Sequence, residues 1–266
     1  MIPILNKLDT VAPGILRLRS VMVNIYFLQA GNGWVLIDAG LKGSASPILE
    51  TAKAHFDGLP PLAILMTHGH FDHACSLPSL LEQWDVPVYT HRLELPYLAE
   101  AQAYPPPGPS VGKGTLAMLS FLYPSKGIDL GDRVLPLPED GAVPHLGEWR
   151  WIHTPGHTVD HVSFFRDHDR LLIAGDGFVT TQQESIYSVA TQEQEVHGPP
   201  TYFTPDWQAA KQSVETLVAL APAIAATGHG TPMAGEPLRR GLRELGDRFD
   251  EIAVPAHGRY VSDHLL

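Results

Sequence analysis

Thr67-His68-Gly69-His70-Phe71-Asp72-His73 is the stretch on which the fold and the chemistry turn. It follows the short apolar run Leu62 to Met66, which reads as a buried strand bounded by Pro61. In extended chain, residues two apart point to the same side, so His68 and His70 can face one ion together. Asp72 and His73 are neighbours and cannot face one way. They are better placed for a second, adjacent ion once the chain turns into the helix read over 72–84. Neutral imidazole and carboxylate are the donors that zinc, iron and manganese accept. Asp72 has a plainer reading as well, as a cap for that helix.

Three further polar residues stand where apolar strands end. His157 lies in Thr154-Pro155-Gly156-His157-Thr158, Asp176 in Ala174-Gly175-Asp176-Gly177, and His229 in Thr227-Gly228-His229-Gly230. Each is flanked by glycine, which lets a loop approach a site closely. Singly, each is an ordinary turn residue. Together with the heptad, they share one placement.

Around these points the chain reads as alternating elements. Residues 15–38 form a hairpin about the turn Gly31-Asn32-Gly33. Helices are expected over 45–56, about 206–220 and about 235–251. Strands are expected at 87–90, 149–153, 162–165, 171–174 and 223–226. Two sheets with helices outside, as one four-layer domain over 1–266, follow from that order. Two irregular stretches, 95–145 with Tyr104-Pro-Pro-Pro-Gly-Pro109 and 177–205, read as surface excursions or lids.

Composition narrows the class. Of 266 residues, 44% are apolar, which suits a globular chain. The formal charge of −11 opposes nucleic-acid backbones, so no nucleic-acid partner is expected. No apolar run is long enough for a membrane span, and the N-terminus does not read as a signal peptide. One cysteine, Cys75, excludes an internal disulfide and fits a cytoplasmic location. It reads as a small apolar side chain.

The ordered set His-x-His-x-Asp-His, His, Asp, His, preceded by Asp38-Ala39-Gly40, resembles the metallo-β-lactamase superfamily over about residues 14–235. The resemblance implies an αββα sandwich with two metals at one edge. It implies that His68, His70 and His157 hold the first metal, that Asp72, His73 and His229 hold the second, and that Asp176 bridges them. Asp38 would either orient the metal-binding loop or form a turn. Zinc is the expected metal, with iron or manganese as alternatives. Asp72 and Asp176 would be the catalytic carboxylates of a hydrolase in which a bridging hydroxide attacks a small ester, lactone or thioester.

Asp176 resembles the glyoxalase-II, lactonase and phosphodiesterase branches, whereas true β-lactamases usually carry Cys or Ser there. Val179 stands where lactonases of the family carry Tyr, so Tyr187 or Tyr202 would have to take that part, and Phe178 would border the substrate. Phosphodiester or phosphotriester hydrolysis at the same site, and a non-catalytic metal-binding module, are the alternatives. A small molecule is the expected partner, and a homo-oligomer is left open. His145, His153, His161, His197 and His257 read as structural, His197 being the one that could belong to a lid.

Overall fold

The computed structural model describes residues 6–100, 102–109, 111 and 118–261. The chain divides into two compact units. One comprises Met1–Tyr104 with Lys126–Arg150, the other Pro105–Ser125 with Trp151–Leu266.

The first unit is built on a seven-stranded sheet whose strands lie in chain order. β1 (Asn6–Ala12), β2 (Ile15–Ser20), β3 (Val23–Ala30) and β4 (Gly33–Ile37) form an antiparallel meander. β5 (Ala63–Leu65), β6 (Val88–Thr90) and β7 (Val134–Pro136) continue it in parallel. Parallel neighbours require crossovers. These are supplied by α1 (Ala45–His55) before β5, by α2 (Phe71–Ala74) and α3 (Leu77–Leu81) before β6, and by α4 (Leu95–Leu98) before β7. Aromatic stacking consolidates the core: Trp34 lies 4.7 Å from Phe56 and 5.4 Å from Phe27, with Trp84 edge-on at 5.6 Å.

The expected 15–38 hairpin is present as β3 and β4, but β1 lies outside every sequence-based expectation. Its residues are mostly exposed, so it carries no apolar alternation. The single helix read over 72–84 is instead two short ones. Pro78 sits in the first turn of α3, where its missing N–H costs nothing, and it disfavours helix continuing into it from α2.

The second unit carries a five-stranded sheet in the order β12-β11-β10-β9-β8. Its strands are β8 (Trp149–His153), β9 (Val162–Arg166), β10 (Leu171–Gly175), β11 (Ile224–Thr227) and β12 (Met233–Ala234). The division between the units falls within β8. β10 and β11 are parallel and the β9–β10 and β11–β12 pairs antiparallel. A short helix, α5 (Ile186–Thr191), interrupts the second irregular stretch. α6 (Trp207–Ala219) makes the crossover between β10 and β11, and Asp206 caps it by accepting from Ala209 N at 2.9 Å. α7 (Gly235–Asp247) buries Leu238, Leu242 and Leu245, one stripe of an amphipathic helix, and α8 (Phe249–Ile252) adds Phe249. Arg239, Arg240, Arg243 and Arg248 face solvent, and Arg239 and Arg248 pair with glutamates one turn away.

The Pro-rich segment belongs to this unit. Gly108 N donates to Tyr202 O at 2.8 Å and Tyr260 Oη to Pro106 O at 2.5 Å. No helix among the described residues is long and apolar enough to cross a membrane.

Candidate metal centre

In the first unit, β5 ends at Leu65, two residues before Thr67, and α2 begins after His70, whose φ of −56° and ψ of 152° are still outside the helical region. The rings of His68 and His70 lie 4.8 Å apart and nearly perpendicular, and that of His73 comes within 4.2 Å of His68. Asp72 and His73 occupy the first turn of α2, with Asp72 Oδ2 4.0 Å from His73 Nε2. His68, His70, Asp72 and His73 are all buried.

Asp38 is hydrogen-bonded to this loop. At φ 61° it ends β4 in the left-handed region. Its carboxylate accepts from Thr67 N, Thr67 Oγ1 and His73 Nδ1, each at 2.8 Å. A carboxylate only accepts, so His73 carries its proton on Nδ1 and its lone pair on Nε2. Thr67 Oγ1 gives its proton to Asp38, so it accepts from His68 Nδ1 at 3.0 Å. His68 therefore also keeps its lone pair on Nε2.

Gly69 is required by close approach. A Cβ there would meet the Tyr104 hydroxyl, the Glu94 carboxylate and Leu98. Glu94 is fully buried and accepts from Tyr104 Oη, whose ring lies 5.0 Å from that of His70. Neither residue stands out in the sequence.

In the second unit, Asp176, His157 and His229 come together. Asp176 follows Gly175, which ends β10 at φ 53°. Asp176 Oδ2 lies 3.5 Å from His157 Nε2 and 3.2 Å from His229 Nε2, with all three residues at most 2% exposed. His157 Nδ1 lies 3.3 Å from Thr204 Oγ1, which donates to Pro200 O at 2.8 Å. The same reasoning places the His157 proton on Nδ1 and its lone pair on Nε2. The His229 backbone is gripped by Thr180 and Thr227, whose hydroxyls reach its carbonyl at 3.2 and 2.6 Å. Gly156, at φ 132°, lets the His157 loop lie against the backbone of Ala210 in α6, where a Cβ would collide.

The donor set suits divalent metal ions. All seven expected ligands belong to buried His/Asp groups able to hold one. Three of the imidazoles are locked into the Nδ1–H tautomer by a partner in their own unit, the usual way a protein aims Nε2 at a metal. Thr204 is 47 residues from His157 in an irregular segment, and no pattern in the sequence marks it. Burial, and then the Asp72 carboxylate, push the Cys75 thiol up, which agrees with a non-nucleophilic role.

The proposed substrate residues are placed differently from one another. Phe178 is fully buried in the apolar cluster with Phe165, Trp207 and Leu217, where it packs the core. Tyr187 is 71% exposed, and Tyr202 is buried against Tyr123 and Phe203. Val179 pairs with His197 across an isolated bridge. His153 bonds to Val159 O at 2.9 Å, and His161 contacts Asp176 N.

Comparison with known proteins agrees with this architecture. The profile of the metallo-beta-lactamase superfamily matches residues 18–229, and the chain belongs to that family and has its fold. "Probable metallo-hydrolase YflN" of Bacillus subtilis (strain 168) is 47% identical over 245 residues, which cover 91% of this chain and 93% of that protein. A "Hydroxyacylglutathione hydrolase" of Xylella fastidiosa (strain M12) is 35% identical over 139 residues, half of this chain and 38% of that one. Among solved structures, "TTHA1623 in a di-iron-bound form" aligns with a TM-score of 0.54 at 28% identity, over 86% of this chain and 94% of that one. The protein is thus a member of a metallo-hydrolase family with His/Asp clusters able to bind metal.

Proposed function

We propose that this protein is a binuclear-metal hydrolase acting on a small ester, lactone or thioester. The observation that carries the reading is the approach of two imidazole Nε2 atoms, from His157 and His229, to one oxygen of the buried Asp176. A carboxylate so placed suits a bridging ligand. By resemblance to the family, His68, His70 and His157 would hold one ion, Asp72, His73 and His229 would hold the other, and Asp176 would serve both. When bound, two such ions supply Lewis acidity and lower the pKa of a water toward neutrality. Asp38, Thr67 and Thr204 keep His68, His73 and His157 in the tautomer that can ligate. Asp72, on the first turn of α2, would serve as a ligand of the second ion and as a catalytic carboxylate beside it.

The acyl preference is supported by similarity to a hydroxyacylglutathione hydrolase over half of the chain. Tyr187, exposed on α5, and Tyr202 remain the candidates for substrate contact.

The test is a matched panel of lactone, aryl ester, glutathione thioester, β-lactam and phosphodiester, assayed with the zinc, manganese and iron forms. Turnover of the acyl substrates is expected, with a loss of at least about 100-fold in Asp176→Asn. Turnover of the phosphodiester alone would replace this reading by its phosphodiesterase alternative. A protein that binds two ions and hydrolyses nothing on the panel would reject the acyl assignment.

A further inference from the structure

We propose that His161 is a positioning residue for Asp176, acting through the backbone and not as a ligand. The inference rests on the hydrolase reading, but it is carried by a closed ring of hydrogen bonds within the second unit. Asp176 N donates to His161 Nε2 at 2.9 Å. A backbone amide can only donate, so Nε2 bears the lone pair and Nδ1 the proton. His161 Nδ1 lies 2.8 Å from Thr154 Oγ1 and 3.1 Å from Thr154 O. Thr154 Oγ1 lies 3.0 Å from Ser163 Oγ, which donates to Ala174 O at 3.0 Å.

The direction of each proton follows. The Asp176 amide gives to His161, His161 to Thr154, Thr154 to Ser163, and Ser163 to the Ala174 carbonyl, two residues before the start. His161, Ser163 and Thr154 are at most 1% exposed, so no solvent competes for these groups.

The ring joins two of the loops that carry candidate ligands, that of His157 and that of Asp176. Thr154 opens the His157 loop, and Thr154 N also donates to His161 O at 2.9 Å. The His161 ring stands perpendicular to that of His157, with centroids 6.2 Å apart. The placement of Asp176 relative to His157 is therefore governed by a side chain bonded to the Asp176 amide and to Thr154. Gly177 completes the fit, since a Cβ there would crowd Leu217 at 3.1 Å and lie 3.6 Å from His161 Cε1.

Two substitutions separate the acceptor from the shape of the ring. In His161→Gln the side-chain oxygen can reach the position of Nε2 and accept from Asp176 N. In His161→Asn the amide can reach only the position of Nδ1. Metal affinity is read by competition with a chromophoric chelator, and ligand geometry by the visible spectrum of the cobalt form. His161→Asn should lose about 10- to 100-fold in affinity with an altered spectrum. His161→Gln should recover most of both.

Equal behaviour of the two variants, whether both like wild type or both impaired, would overturn the proposal. So would a wild-type protein whose imidazole nitrogen resonances show His161 protonated on Nε2, a measurement that needs no variant to fold. Wild type that binds no metal would overturn the hydrolase reading and this role with it. Wild type that binds two ions while the variants match each other would overturn this role alone.

Discussion

At the scale of single residues, the candidate site is organised by proton direction. Asp38 Oδ2 accepts from both Thr67 Oγ1 and His73 Nδ1 while Oδ1 accepts from Thr67 N. An amide cannot do this. Whichever way an Asn side chain is turned, its NH2 faces a donor: the Thr67 amide in one orientation, Thr67 Oγ1 and His73 Nδ1 in the other. Asp38→Asn should therefore fold but bind metal about 10- to 100-fold more weakly, as read by chelator competition. Unchanged affinity would show that Asp38 serves only the turn. The sequence leaves these two roles of Asp38 unresolved, because both a turn former and an anchor for histidine read as Asp before Gly. Thr204 and His161 were less legible still. A hydroxyl acquires meaning only from the atom opposite it, and those atoms lie 47 and 15 residues away.

At the scale of elements, what the sequence reveals depends on burial. Strands β3, β5 and β10 are buried throughout or nearly so, and their apolar runs are visible. β1 is not, and it is held mainly by pairing with β2, in which Asp9 faces Arg17 across the ladder. Arg17 is 2% exposed and its guanidinium bonds to the Asp9 carboxylate. Burial raises the Asp9 pKa, but hydrogen bonds from Arg17 and then Lys7 outweigh it and hold the carboxyl below its ordinary value of 3.8. A depressed carboxyl contributes stability above its unfolded pKa and loses it as pH falls through the folded value. Asp9→Asn should cost about 1 kcal/mol at neutral pH, since the pair is partly exposed. The difference from wild type should shrink below about pH 4. Urea midpoints across that range are the check, and a pH-independent difference would mean that packing, not the charge pair, holds β1.

At the scale of the whole molecule, the two clusters bring buried carboxylates and imidazoles together in a chain of net charge −11. Ligand-linked stability follows: an ion that binds only the folded state at 1,000 times its dissociation constant adds about 4 kcal/mol. Chelation should then lower Tm by roughly 8–16 °C, at about 2–4 °C per kcal/mol for a chain of this length, and zinc should restore it. A Tm indifferent to chelator would argue against a structural share for the metals.

The sequence by itself determined the family, the helices and strands with strong apolar patterns, and the seven candidate ligands. Those depend on residue type and spacing near strand ends, which are local properties of the chain. Only the tertiary structure decided that Phe178 belongs to the core, that the helix after His73 breaks between Ala74 and Leu77, ahead of Pro78, and which nitrogen of His68, His73, His157 and His161 carries the proton. Burial and hydrogen-bond direction are properties of neighbours distant in the chain, and no local pattern encodes them.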